Sequence, residues 1–110
     1  MNKKLQALGR MKPGQMNQME RMYCLRLERM KYVGEICWFS FEGMKFRLAD
    51  KTSYTPDFMV MLADGSLQAH EVKGLWMDDA RVKIKVAAQS FPIQFVGVTQ
   101  KKGLWSFEEF

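Results

Sequence analysis

The stretch Tyr54-Thr55-Pro56-Asp57-Phe58-Met59-Val60-Met61-Leu62-Ala63-Asp64-Gly65-Ser66-Leu67-Gln68-Ala69-His70-Glu71-Val72-Lys73-Gly74 decides the fold. Two largely apolar runs flank Asp64-Gly65, a pair that closes hairpins because glycine enters the left-handed backbone region at no steric cost. Pro56 lacks an amide hydrogen and fits only near the start or at an edge of the first strand, and Gly74 breaks the second. Alternation puts Glu71 and Lys73 on one face and Val72 on the other. Whether Asp57 joins them depends on the loop. An Asp64-Gly65 loop pairs Ala63 with Ser66 and sets Asp57 opposite Val72, on the wrong face. An Ala63-Asp64-Gly65 loop pairs Leu62 with Ser66, Met61 with Leu67 and Met59 with Ala69, and sets Asp57 opposite Glu71. The second form places glycine where the left-handed residue belongs, so the longer loop is expected.

Two opposed carboxylates, with β-carbons about 5 Å apart, repel unless a proton or a cation stands between them. A divalent cation resolves that conflict. Mg2+, for which Mn2+ can substitute, takes hard oxygen ligands and keeps waters, so Asp57 and Glu71 can share it with water and a phosphate oxygen. Lys73 would then hold or deprotonate the attacking water and neutralise the charge that develops on the phosphoryl group. Taken alone, Glu71-Val72-Lys73 reads as a surface ion pair, the usual fate of Glu-x-Lys on a strand. The Pro-Asp, the Asp-Gly hairpin and Gly74 around it are what favour a site.

Outward from this hairpin the pattern is mixed. Pro13-Gly14 separates a basic arm, residues 1–12, from a single domain, residues 13–110. Met16, Met19, Tyr23, Leu27 and Met30 recur at helical steps of three or four, and Gly34 ends that helix. Glu35 to Phe41 is β-branched and aromatic, and Glu42-Gly43 offers a turn into Met44 to Leu48, which reads as a hairpin. Ala49 to Ser53 is polar, and Tyr54 to Leu62 reads as one extended run. After Gly74, Asp78 suits an N-cap, Ala80, Ile84, Ala87 and Phe91 form a second helical stripe, and Pro92 stops it. Ile93 to Val98 is a strand reached by a right-handed parallel crossover, and Lys101-Lys102-Gly103 turns into a last strand, Leu104 to Phe107. The expected class is α/β (α+β), a mixed β-sheet flanked by helices in the order α-β-β-β-β-α-β-β.

With 110 residues the chain can bury one core without staples. A net charge of +5 and a pI near 9.4 suit an anionic partner such as nucleic acid. Cys24 and Cys37 lack metal-ligand spacing and, with His70 as the one histidine, cannot build a structural zinc set. They are expected as buried, reduced thiols. No apolar run is long enough for a signal segment or a membrane span, so a cytoplasmic protein with no membrane partner is expected.

Tyr54-Thr55-Pro56-Asp57-Phe58 followed by His70-Glu71-Val72-Lys73-Gly74 resembles the PD-(D/E)XK nuclease superfamily. The likeness is to its short phage-encoded members, Holliday-junction-resolvase-like proteins and stand-alone VRR-NUC domains, and runs from about Asn17 to Val98. It implies a restriction-endonuclease-like core and a Mg2+- or Mn2+-dependent DNA endonuclease leaving 5′-phosphates. It also implies that the main-chain carbonyl of Val72 joins Asp57 and Glu71 on the metal, and that an acid on the first helix, here Glu20, completes the catalytic set of Glu20, Asp57, Glu71 and Lys73. Asn17-x-x-Glu20 also matches a capping box, in which Glu20 serves the helix start instead.

Arg81, Lys83 and Lys85 on the second helix, with Lys101 and Lys102 in the following turn, are the candidate DNA contacts, although exposed basic residues also serve solvation alone. Lys83 is the first choice, because related nucleases send a polar side chain from this helix toward the site. Trp76 and Trp105 either stack on exposed bases or pack, with packing preferred, and His70 is read as a packed strand residue. The reading is an endonuclease selective for branched or distorted DNA, a homodimer because a junction needs paired cuts. The alternatives are a monomeric nickase, flap or restriction-like nuclease of the same fold, and a catalytically inactive DNA-binding phage protein.

Overall fold

The computed structural model describes residues 14–110. The basic arm at 1–12 lies outside the described residues. At the centre is the hairpin of β4 (Phe58–Leu62) and β5 (Leu67–Val72). Its pairs are Phe58 with His70, Met59 with Ala69, Val60 with Gln68 and Met61 with Leu67. The loop is the expected one: Leu62 N–H donates to Ser66 O at 2.8 Å and Gly65 N–H to Leu62 O at 2.9 Å. Gly65 has φ +91, and the Asp64 carboxylate accepts from Ser66 N–H at 2.9 Å and from its hydroxyl at 2.7 Å. Carried one step beyond Phe58–His70, this register sets Asp57 beside Glu71.

The hairpin lies inside a five-stranded sheet completed by β1 (Ile36–Phe41), β6 (Gln94–Lys101) and β7 (Leu104–Glu109), in the order β1-β4-β5-β6-β7. β5 and β6 run parallel and the other neighbours antiparallel, so the sheet is mixed, as expected for the crossover that joins them. The last strand extends past Phe107 to Glu109. The helix α1 (Gln18–Tyr32) covers one face. Its Tyr23 and Leu27 pack with Ile36, Phe58, Val60, Val72, Val96 and Val98. The helix α2 (Asp78–Ser90) covers the other, where Ile84 and Ala87 meet Met59, Ala69, Phe95 and Tyr54. Odd-numbered residues of β4 and β5 face α2 and even-numbered ones face α1, as a pleated strand requires. Among the described residues no helix is long and apolar enough to cross a membrane.

Two expectations about pairing fail. Phe46–Ala49 (β2) does not pair with β1; it pairs with a further strand, Thr52–Tyr54 (β3), in a separate two-stranded ribbon. β1 pairs with β4 instead, from Phe41–Phe58 to Ile36–Leu62, with an irregularity at Cys37. The physical reason is burial: β4 is apolar on both faces and needs a strand on each side, whereas β2 alternates half-buried and exposed residues and suits a one-sided ribbon. The run Tyr54 to Leu62 is therefore two strands, parted at the fully buried Pro56. The order is α-β-β-β-β-β-α-β-β, one strand more than expected. Asp78 is the first helical residue of α2 and Met77 is the N-cap, without a side-chain cap bond. Cys24 is half-buried and Cys37 exposed, where buried thiols were expected; both are free.

A methyl group on Gly65 would meet nothing within 4 Å, so substitution costs only backbone conformation. Gly65→Ala should destabilise the protein by about 1–2 kcal/mol in chemical denaturation, and Gly65→Asn by less. Equal loss for both would remove the left-handed loop as the cause.

Candidate active site

Asp57 enters the site because the buried Pro56 delivers the chain to β4 at the point where β5 ends. Its N–H donates to Glu71 Oε1 at 3.3 Å, and its Oδ2 accepts from Val72 N–H at 2.8 Å. Glu71 Oε1 also accepts the Tyr54 hydroxyl at 2.9 Å, while Oε2 lies 3.2 Å from Lys73 Nζ. Asp57 is 9 % and Glu71 7 % exposed, so both carboxyls are largely out of water. Along an extended strand the N–H and C=O of one residue point the same way. Val72, whose N–H reaches Asp57, thus directs its carbonyl to that side, whereas Lys73 N–H turns the other way to Val98 O at 2.9 Å.

Glu20 fills both roles that the sequence leaves open. It closes a capping box with Asn17, its Oε1 accepting Asn17 N–H at 2.9 Å and its N–H donating to Asn17 Oδ1 at 2.8 Å. The same carboxyl stands near enough to Asp57 to help raise it. The four residues of the expected catalytic set are therefore brought together.

Burial, and next the neighbouring Glu71 and Glu20, push the Asp57 carboxyl from 3.8 up to about 9, against the opposing pull of Val72 N–H. Burial also raises Glu71, opposed by Lys73, Tyr54 and Asp57 N–H. Burial alone would lower Lys73, but Glu71, Asp57 and Glu20 outweigh it and hold the ammonium above its ordinary value. The Tyr54 phenol is driven far up by burial and by Glu71, so it remains a donor.

Among the described residues no three His, Cys, Asp or Glu side chains are arranged around one point as a metal-ligand set. Two carboxylates and a main-chain carbonyl are a different donor set, and it fits a hard divalent cation. Asp57 Oδ1, Glu71 Oε2 and Val72 O are all oxygens, and the mutual repulsion of the acids is what such an ion relieves.

An open cleft of about 490 Å³ borders Glu71 and Lys73, with Tyr54 and Ser53 on one wall and Lys83 of α2 on the other. Lys83 thus stands at the site, as its helix position suggests. Arg81 does not line this cleft. Its guanidinium makes two 3.0 Å bonds to Glu108 and lies over the rings of Trp76 and Phe110. Lys85 acts on the same Glu108. Lys101 borders a second cleft beside Arg81, and Lys102 lies exposed in the β6–β7 turn. Trp76 and Trp105 both pack, Trp76 across Gly97, where an added methyl would come within 2.8 Å of the indole, and Trp105 edge-on to Tyr23. His70 is buried between the Tyr23 hydroxyl, 2.7 Å from Nδ1, and Gln68 Oε1, 2.9 Å from Nε2; burial lowers it to about 4, so it is neutral.

Tyr54 is the site residue that sequence reasoning missed. A signal existed, since a tyrosine inside the motif stretch needs a hydroxyl partner once buried. Compared with known protein families, curated proteins and solved structures, the chain matches none.

The raised Asp57 fixes the sign of a pH effect. Its contribution to stability is full below about pH 4 and is lost as pH rises toward about 9, so the metal-free protein should lose stability over that interval. His70 acts oppositely, costing stability as pH falls from 6.5 through about 4. Thermal unfolding with chelator against Mg2+ should show the cation stabilising most at the alkaline end. Asp57→Asn can accept Val72 N–H and donate to Glu20, and should raise metal-free stability by about 0.5–2 kcal/mol while abolishing the Mg2+ effect. A stability that rises with pH above neutrality in chelator would refute the carboxyl assignment.

Proposed function

We propose that this chain is a metal-dependent DNA endonuclease with a restriction-endonuclease-like core, hydrolysing phosphodiester bonds. One observation carries the reading: two buried carboxyls, Asp57 and Glu71, face each other beside Lys73 at the edge of a cleft whose opposite wall bears Lys83. Burying two acids side by side without a function is costly, and a cation with a phosphodiester removes the cost. Asp57, Glu71 and the Val72 carbonyl would hold Mg2+ or Mn2+. When bound, such an ion polarises a phosphoryl oxygen and makes water a better nucleophile at neutral pH.

The side chains divide the remaining work. Lys73, kept charged by its acidic neighbours, orients water and stabilises negative charge growing on the phosphoryl oxygens; in that state it has no lone pair with which to act as base. Glu20 has committed one oxygen to the helix cap and keeps the other to accept a hydrogen bond from water. Tyr54 fixes Glu71 Oε1, so that Oε2 is the oxygen presented with Lys73. Lys83 is placed to hold a flanking phosphate. The described residues of the site offer charge suited to phosphates, which fits selection by DNA shape. The substrate proposed is branched or distorted DNA, cut by a homodimer that provides one site per strand.

Labelled four-way junction and linear duplex, incubated with Mg2+, Mn2+ or chelator, test this directly. Cleavage should need the metal and fall by about 10²–10³-fold in Asp57→Ala and in Glu71→Ala. Cutting that survives chelation would dismiss the site, and binding without cutting under either metal would make the chain a non-catalytic DNA-binding protein. Tyr54→Phe should lower activity by about 10–100-fold and move the acid limb of the pH–rate profile upward, since Glu71 loses a donor that lowers it. An unmoved acid limb would reduce Tyr54 to packing.

A further inference from the structure

We infer that the outward face of the β2–β3 ribbon is a docking track for the nucleic-acid backbone, leading phosphates into the cleft that holds Glu71 and Lys73. The inference rests on the nuclease reading and deepens it, because the sequence pointed to α2 for this role. The ribbon is anchored from below: Phe46 packs on Phe91 at 4.9 Å and on Phe95 at 5.4 Å, and Tyr54 lies on Phe95 at 6.4 Å. Alternation along β2 then turns Lys45 and Arg47 outward, and Lys51 stands at the tip with φ +56. These three cations line one open groove of about 420 Å³ with Thr52 and Ser53.

Ser53 borders this groove and also the cleft with Glu71, Lys73 and Lys83, so the two are neighbours that meet at this residue. The one acid beside the cations, Asp50, pairs with Arg47 at 3.3 Å with side chains 75 % and 83 % exposed. A pair so exposed and so screened by water contributes little, and a phosphate can displace it. On α2, by contrast, Arg81 is held by Glu108 in two bonds. The ribbon thus adds three exposed cations to Lys83 of α2, which lines the cleft itself. A two-stranded ribbon is also a shape that DNA grooves accept.

The test uses the full chain carrying Asp57→Ala, with binding to a fluorescent four-way junction followed by anisotropy across a salt series. Replacing Lys45, Arg47 and Lys51 together by Gln should weaken binding by about tenfold or more and make the plot of log affinity against log salt shallower by about 2–3, one phosphate contact per cation. Lys45→Cys carrying a photo-crosslinker, in a chain with Cys24→Ser and Cys37→Ser so that position 45 holds the one thiol, should attach to nucleotides beside the cleavage position. Unchanged affinity and slope, in a chain that binds and whose parent cleaves, would overturn the ribbon and leave the nuclease reading standing. A parent that neither binds nor cleaves DNA would overturn both. Crosslinks confined to nucleotides remote from the cut would overturn the track.

Discussion

Hydrogen bonding around Gly65 fixes which residue of β4 meets which residue of β5, and the two faces of the sheet follow from that pairing. With Met59 against Ala69, Phe58 and Val60 face Tyr23 and Leu27 of α1, while Met59 and Ala69 lie under Ile84 and Ala87 of α2. A slip of one residue would exchange the faces, exposing one core to the other's helix. The same pairing sets Asp57 and Glu71 side by side. Core and site therefore share one constraint, and the hydrophobic energy that rejects a slip also enforces proximity between two acids that repel.

That repulsion is moderated but not removed. Val72 N–H, Tyr54 and Lys73 each donate to one of the two carboxyls, yet burial leaves both raised, and the charge of Glu71 raises Asp57 further. Such a cluster favours any species that brings positive charge to its open side. Natural chains accept local instability of this kind where a ligand later relieves it.

The parts of the structure that depend on local chemistry were legible in the residues. Asp64-Gly65 specified its loop, the stripe Met16 to Met30 specified α1, and Glu71-Val72-Lys73 with Asp57 specified the acidic cluster. Pairings set by competition between distant strands were not legible. Glu42-Gly43 resembles a hairpin turn, but Glu42 takes φ +51 and donates its N–H to Asp57 O at 2.7 Å, so the chain leaves the sheet there. β4, buried on both faces, then claims the edge of β1. The destination of Arg81 was equally hidden, since Glu108 lies far along the chain and meets it only once β7 has joined β6. Tyr54 was visible as a residue but not as a donor, because its partner depends on the break at Pro56.

The capping box carries one more consequence. Glu20 spends one carboxylate oxygen on the first turn of α1 and sets the same group beside Asp57. Whatever draws that carboxylate toward the site must loosen the cap, and whatever steadies the cap must hold the carboxylate back. Reciprocity makes these a single coupling free energy, read at either end. The start of the first helix is thereby a built-in gauge of the charge at the sheet's edge.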